Sequence, residues 1–170
     1  MNINQKYKDL LNKYNKLQRQ YKELEQKYSI KTLADANIPK IYTDGGYDKI
    51  KKIGAWAFGI EDKIINSGII TEIDGTWNIQ SEVTACINAI KYAEDNNYSN
   101  VLIVHDLKGL RYWYEGLWKA NFNCTKTLKN LKSQVKVKVS FMLIKGHSGI
   151  KGNEIVDSEC QKILANYKNK

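Results

Sequence analysis

Hydrophobic and polar positions follow two different rhythms along the chain, and the change falls near residue 34. In the first 33 residues, tyrosine and aliphatic residues each recur every seven positions: Tyr7, Tyr14, Tyr21 and Tyr28, with Ile3, Leu10, Leu17 and Leu24. This spacing is an a/d heptad pattern, which predicts an amphipathic helix. Two interpretations of its apolar stripe stay open. The stripe pairs with a second copy through residues 3–28, or it packs on the rest of its own chain.

The stretch "ADANIPK" at residues 34–40 separates the two rhythms. It contains Pro39, which is the only proline in the sequence. Proline and small polar residues are typical of linkers and helix ends. We therefore divide the chain into a heptad helix over 1–33, a linker over 34–39 and a domain over 40–170.

From residue 40 onward, alternating and buried-type runs predict strands and 3.6-residue periods predict helices. In order, "KIYTD", "KIGAWAFGI" and "KIINSGIITEI" are predicted strands, a helix follows from about residue 80 to 96, and "NVLIVHD" is a fourth strand. Then come two helices, "LKGLRYWYEGLWK" and "TKTLKNLKSQ", a strand in "VKVKVSFMLIK" and a last helix in "GNEIVDSECQKILANYK". This order predicts an α/β fold with a mixed five-stranded sheet and helices on both faces.

Composition limits the class of protein. The 170 residues are 42% hydrophobic and 26% charged, which is typical of globular proteins. No apolar run is long enough to span a membrane, and the N-terminus is polar, so we expect a cytoplasmic protein without a membrane segment. The widely spaced Cys86, Cys124 and Cys160 argue against a disulfide framework or a structural zinc site. The net charge of +9 suits a polyanionic partner, or a lysine-rich surface with no such partner.

Four acidic residues stand at unusual places: Asp44, Glu82, Asp106 and Asp157. Taken singly, each has an ordinary explanation as a turn, helix-end or surface residue. Taken together, they converge. Asp44 and Asp106 end two strands that we expect to be parallel neighbours, so they share the sheet edge where such folds bind ligands. Glu82 arrives from the crossover helix and Asp157 from the last helix.

Carboxylates brought this close repel one another unless divalent cations neutralise them. Oxygen-only ligands suit Mg²⁺ or Mn²⁺. Two such ions, about 3.5–4 Å apart, clamp the attacking and leaving oxygens of an in-line phosphoryl displacement. The acids therefore predict a metal-dependent phosphoryl-transfer site.

The segments "YTDGG", "NIQSE", "VLIVHD" and "KGHSGIKGNEIVD", in this order over about residues 40–167, resemble the type 1 ribonuclease H family. The segment "GLRYWYEGLWKANFNCT" is similar to bacterial members that carry an N-terminal viroplasmin-like domain, which the heptad helix replaces here. The resemblance implies a ribonuclease H-like fold with strand order 3-2-1-4-5. It also implies cleavage of the RNA strand of RNA/DNA hybrids, leaving 5′-phosphate and 3′-hydroxyl ends.

The resemblance also implies roles for individual residues. Two Mg²⁺ ions, with Mn²⁺ as a substitute, would be held by four ligands: Asp44, Glu82, Asp106 and Asp157. His147, on a glycine-flanked loop, would assist proton transfer and product release. Asn78 and Gln80 would contact the hybrid. Asn153 would contact the loop or phosphates, or else cap the last helix.

Trp113, Trp118 and Lys119 lie where related enzymes grip the DNA strand, although core packing is an alternative for both tryptophans. The sequence departs from the family at Trp77, where a threonine often helps to bind phosphate. It also departs at His105 and Leu107, where many members have small hydroxyl residues beside the aspartate.

Two other functions remain as alternatives. One is a different nuclease or resolvase on the same fold. The other is a nucleic-acid binding or scaffolding protein that keeps the fold and is oligomerised by its N-terminal helix. The presence of all four carboxylates favours the enzyme.

Overall fold

The computed structural model describes residues 3–33 and 38–167, and the chain divides into two units, Met1–Asn37 and Ile38–Lys170. The first unit contains helix α1, Ile3–Leu33, which confirms the predicted helix. The described apolar heptad residues of α1 are exposed, from 43% for Tyr21 to 81% for Ile3. Residues 34–37 of the predicted linker and the side chain of Tyr28 lie outside the described residues.

The second unit is built on one five-stranded sheet. Its strands are β1 (Lys40–Asp48), β2 (Ile53–Ile60), β3 (Lys63–Ile70), β4 (Asn100–His105) and β5 (Lys138–Leu143). Their order is β3-β2-β1-β4-β5; β1 to β3 pair antiparallel, whereas β4 pairs parallel with both β1 and β5. The predicted mixed sheet and its order are confirmed.

Helices cover both faces of this sheet. Helices α2 (Asn78–Asp95), α3 (Gly109–Tyr114) and α4 (Asn123–Leu131) share the larger core on one face, and α5 (Lys151–Asn166) packs on the other face. Helix α2 buries Val83, Cys86, Ile87 and Ile90, whose spacing of three and four residues aligns them on one side of the helix. Burial of hydrophobic side chains thus fixes helices α2 to α5 to the sheet.

Helix α3 is shorter than the helix predicted over "LKGLRYWYEGLWK", and that prediction was wrong in its extent. The helix ends because Gly116 adopts a φ of +74°, a conformation that glycine tolerates best. The N–H of Leu117 donates to the carbonyl of Tyr112 at 2.8 Å, and that of Gly116 donates to Trp113 at 3.0 Å. These two bonds form a Schellman motif, so Trp118 and Lys119 lie beyond the helix.

Strand β1 continues past Asp44 to Asp48, so the predicted strand end at Asp44 was also wrong. Gly45 and Gly46 suggested a turn, but they are paired with Trp56 and Ala55 of β2. Their missing side chains serve packing instead. A Cβ on Gly45 would lie 2.2 Å from the backbone nitrogen of Glu82, so α2 approaches this strand at backbone contact distance.

Within the described ranges, 3–33 and 38–167, no helix combines the length and the apolar character needed to cross a lipid bilayer.

Candidate active site

Asp44 and Asp106 lie at equivalent positions on neighbouring parallel strands. Strands β1 and β4 pair as far as Tyr42 and Val104, and each aspartate follows two residues later. Asp44 is buried, with an exposed fraction of 7%, and its Oδ1 accepts a hydrogen bond from the N–H of Gly45 at 2.7 Å. The two carboxylates therefore meet at the sheet edge that the sequence predicted.

Glu82 joins them from α2. It is the fifth residue of the helix rather than part of its first turn, and its exposed fraction is 8%. Ligand oxygens of Asp44, Glu82 and Asp106 all lie within 4.8 Å of one another. The Oε2 atom of Glu82 is buried and has no hydrogen-bond partner among the described residues.

Burial and mutual repulsion dominate the electrostatics of this group. Burial, followed by the charges of Asp106 and Asp157, raises the pKa of Asp44 to about 7, against the opposing hydrogen bond from Gly45. Burial, followed by the charges of Asp44 and Asp106, also raises the pKa of Glu82 well above its usual value. A divalent cation would remove this repulsion and give the orphaned Glu82 oxygen a partner, so the oxygen-only donor set fits such an ion.

Asp157 comes from the opposite face of the sheet. It is the seventh residue of α5, one position later than in the predicted helix, which began at Gly152, and its negative charge adds to the pKa rise at Asp44. Gly152 allows this approach, because a Cβ there would lie 2.4 Å from the ring of Tyr42. The helix is thereby fixed with Asp157 beside Asp44.

His147 lies on the loop before α5 and is largely exposed. Its Nδ1 is 3.7 Å from Oδ2 of Asp157, and its backbone has a φ of +52°. The preceding Gly146 lies against Asp106, because a Cβ on Gly146 would come within 2.7 Å of Oδ2 of Asp106. The loop therefore presents His147 to the carboxylates from the solvent side.

Glu154 belongs to a second group of possible metal ligands, and the sequence analysis did not predict it. Ligand atoms of His147, Glu154 and Asp157 lie within 4.8 Å of one another. Oε1 of Glu154 also accepts a hydrogen bond from the N–H of Gly149 at 3.2 Å. The signal was present in the sequence, since Glu154 precedes Asp157 by three residues and so shares its side of the helix.

A cavity of about 280 Å³ joins these groups. Its lining contains all five predicted catalytic residues and is formed by Asp44, Gly45, Gly46, Tyr47, Asn78, Glu82, Asp106, His147, Asn153, Asp157, Gln161 and Leu164. Tyr47 and Gln161 had not been predicted, because neither belongs to a recognisable motif. The carboxylates thus face a space that is open to a phosphodiester.

The three predicted polar contact residues have different environments. Asn78 is exposed at the start of α2 and lines the cavity. Gln80 holds the loop before α2, because its Oε1 accepts from the N–H of Asp74 at 2.8 Å and its Nε2 donates to the carbonyl of Glu72 at 3.0 Å. Both of its polar atoms are therefore engaged within the protein.

Asn153 does not cap the last helix, so the capping alternative was wrong. The residue at the cap position is Ile150, and Asn153 is the third residue of α5. Asn153 is only 2% exposed, and its Oδ1 is buried without a hydrogen-bond partner among the described residues. Its side chain is instead part of the cavity lining.

The predicted aromatic and basic residues after β4 lie outside the cavity lining. Trp113 is partly buried against the larger core, whereas Trp118 is 42% exposed. Trp118 stacks on Tyr112, with ring centroids 4.8 Å apart, and Lys119 is exposed beside it. Core packing accounts for Trp113 but not for Trp118.

His105, which directly precedes Asp106, is a buried neighbour of the site. Its ring meets Phe141 edge-on, with centroids 5.8 Å apart, and burial lowers its pKa to about 4. The ring is therefore neutral at physiological pH and adds no positive charge beside the carboxylates.

Comparison with known proteins gives consistent results. The sequence profile of the RNase H family matches residues 37–164. A ribonuclease H of Wolbachia pipientis wMel is 31% identical over 137 residues, which cover 73% of this chain and 93% of the relative. A ribonuclease H of Ruthia magnifica is 29% identical over 131 residues, which cover 69% of this chain and 89% of the relative.

Solved structures share the fold at lower sequence identity. RNase H1 from Halobacterium salinarum superposes with a TM-score of 0.58 at 18% identity and covers 77% of this chain and 100% of that chain. The LC11 RNase H1 isolated from compost has a TM-score of 0.55 at 20% identity, with coverage of 75% and 99%.

Proposed function

The chain belongs to the ribonuclease H family, whose members act on RNA/DNA hybrids, and we propose that it hydrolyses the RNA strand of such hybrids to 5′-phosphate and 3′-hydroxyl ends. One observation carries this proposal. The ligand oxygens of two buried carboxylates, Asp44 and Glu82, and of the half-buried Asp106 lie within 4.8 Å of one another, and the charge of Asp157 acts on Asp44 among them. No fold needs such a cluster for stability, because each buried charge opposes its neighbours.

Divalent metal ions are the family's cofactor, and we propose two Mg²⁺ ions here, with Mn²⁺ as a substitute. Their ligands would be Asp44, Glu82, Asp106 and Asp157. Bound ions of this kind supply a nucleophilic water and stabilise the charge on the leaving oxygen. The protein contributes rigid positions for the carboxylates, through the paired strands β1 and β4 and the close approach of α2 at Gly45.

His147 is proposed to move protons during the reaction and product release. Its ring is largely exposed and lies 3.7 Å from the carboxylate of Asp157, so it can exchange protons both with solvent and with the cavity. Imidazole is the side-chain group that most often transfers protons in enzyme catalysis. The loop carries the ring without locking it into the core.

Direct substrate contacts are proposed for four of the six further predicted residues: Asn78, Asn153, Trp118 and Lys119. Trp113 packs against the larger core instead. Asn78 and Asn153 have the strongest support, since both line the cavity and Asn153 has an orphaned oxygen. Trp118 and Lys119 are exposed outside it and would bind a more distant part of the duplex. Gln80 would act through the loop that it holds before α2.

The proposal is tested with labelled RNA/DNA hybrid, double-stranded RNA and double-stranded DNA, each with Mg²⁺, Mn²⁺ or EDTA. We expect cleavage of the RNA strand of the hybrid alone, and only with a metal ion. End labelling identifies the product termini. A protein that bound hybrid but cut none under any metal condition would instead support the binding or scaffolding alternative.

We also propose that α1 pairs in parallel with a second copy. The exposed stripe of Ile, Leu and Tyr supports pairing. In this register, Lys6 and Lys13 occupy g positions, where an antiparallel pair would bring like charges together. Light scattering of the full chain should give twice the monomer mass, and Leu17→Glu should restore the monomer. An unchanged mass for this variant would contradict pairing through the stripe.

A further inference from the structure

Two aromatic rings that belong to no family motif stand at the edge of the cavity. Tyr47, on β1, lines the cavity, and its ring stacks on that of Trp77 with centroids 6.4 Å apart and an interplanar angle of 20°. Trp77 is 57% exposed. The pair therefore connects the cavity lining to an indole ring that is exposed to solvent.

The position of Trp77 is not explained by folding. Its backbone has a φ of +47°, a region that a bulky side chain seldom adopts. The loop before it is held independently, since Oδ1 of Asp74 accepts from the N–H of Thr76 at 3.1 Å and Gln80 holds Asp74. A small polar residue would adopt this backbone conformation with less strain. The exposed indole of Trp77 therefore needs an explanation other than folding.

The proposed substrate offers a matching surface. Bases inside a duplex are stacked on one another and present no free faces to a flat ring. A helix of A-like form instead exposes its sugars and 2′-hydroxyls along a wide, shallow minor groove. In this groove, sugar C–H groups can pack on aromatic faces next to the phosphate that lies at the carboxylates.

We propose that Tyr47 and Trp77 form an aromatic platform that packs on sugars of the RNA/DNA hybrid beside the scissile phosphate. The inference rests on the proposed function for its substrate. Tyr47 lines the cavity that would hold the scissile phosphate, and the centre of the Trp77 ring lies 6.4 Å from that of Tyr47. At ~3.4 Å per nucleotide, this distance spans about two nucleotides of one strand.

The test compares Trp77→Asn with Trp77→Phe. Asparagine tolerates a positive φ and removes the ring, whereas phenylalanine keeps a ring at the same backbone strain. Trp77→Asn should raise KM and the Kd for hybrid by about tenfold, with kcat nearly unchanged. Trp77→Phe should keep KM and Kd within about twofold of the wild-type values, because it retains an aromatic ring beside Tyr47. Ile69→Ala, which removes an exposed side chain on β3, is the matched control.

Fluorescence reports contact directly. In an Asp106→Asn background, which is expected to bind hybrid without cutting it, Trp118→Phe is added so that the other exposed tryptophan proposed to contact hybrid does not contribute. Added hybrid should then quench tryptophan emission, and Trp77→Phe should remove most of that quenching. Wild-type Kd and KM in Trp77→Asn would overturn the platform. Failure of the unmodified protein to cut hybrid would overturn the proposed function instead, so the two failures are distinguishable.

Discussion

The active site has two halves that place ligand atoms equally close together but in opposite surroundings. Ligand oxygens of Asp44 on β1, Glu82 on α2 and Asp106 directly after β4 lie within 4.8 Å of one another. His147, Glu154 and Asp157 are just as close on the last loop and α5, but at more accessible positions. In the first set Asp44 and Glu82 are buried and Asp106 is half-buried, whereas in the second His147 is exposed and its two partners are half-buried. We call the first set the buried half and the second the exposed half.

Burial changes what the same chemical groups do. In the buried half, desolvation and mutual charge raise the pKa of Asp44 to about 7 and that of Glu82 well above its usual value. These carboxylates destabilise the metal-free fold and bind a cation strongly for the same reason. In the exposed half, the His147 ring is open to solvent, so it can exchange protons and change its orientation at little cost.

Cleavage of hybrid should therefore be lost when a carboxylate of the buried half loses its charge. Asp106→Asn keeps the shape but removes a ligand, and we expect cleavage of hybrid to fall by about 10³-fold or more. Initial rates with labelled hybrid measure this loss. A gel-shift assay should show that the variant still binds hybrid. Normal cleavage by Asp106→Asn would refute the assignment of the metal ligands.

The exposed half should tolerate substitution better. His147→Ala removes a proton carrier but no buried charge, so we expect kcat to fall by about 10²-fold with little change in KM. Because the ring is 79% exposed, imidazole added to the buffer should reach its place and restore part of the rate. If His147→Ala lost as much cleavage activity as Asp106→Asn and imidazole restored none of it, the two halves would not differ in their tolerance of substitution.

Stability should reveal the buried half without any assay of catalysis. The pKa of Asp44 is about 7 in the folded chain against an ordinary 3.8, so the folded state binds more protons between these values. In EDTA, stability should therefore fall as pH rises from about 4 to about 7. Asp44→Asn, which mimics the protonated side chain, should raise the Tm at pH 7 by about 5 °C and flatten this slope.

Metal addition provides the complementary control for the same pair of proteins. Mg²⁺ should raise the Tm of the wild type at pH 7, because it binds only the folded carboxylates. The Asp44→Asn variant should respond much less. If the wild type were most stable at pH 7 in EDTA, repulsion among the carboxylates would not control how the stability of the folded chain depends on pH.

The contrast between the halves also explains what could be read from the sequence. The alternation in β1, the continuous apolar run of β4 and the periodicity of α2 predicted that Asp44, Glu82 and Asp106 meet at one sheet edge, because burial leaves a hydrophobic pattern. Asp44 was nevertheless taken as a strand end. The pairing of Gly45 and Gly46 with β2 shows that the strand continues, and the close approach of α2 explains why these residues are glycines.

Other features depend on contacts that no pattern encodes. The Schellman motif at Gly116 shortened α3, and the burial of Asn153 ruled out its role as a cap. The stacking of Tyr47 on Trp77 joins residues thirty positions apart that share no motif. Glu154 was overlooked because a glutamate in the first turn of a helix has an ordinary explanation in the helix dipole.

Glu154 gives the finest test of the comparison. Its carboxylate accepts a hydrogen bond from Gly149 and lies beside His147 and Asp157, so it can position the loop and also supply charge. Glu154→Gln keeps the acceptor and should stay within about threefold of the wild-type rate, whereas Glu154→Ala should lose about tenfold and need more Mg²⁺. Titration of the initial rate with Mg²⁺ measures both effects. If Glu154→Gln were as impaired as Glu154→Ala, charge rather than loop position would be its contribution, and the exposed half would share in neutralising the cations.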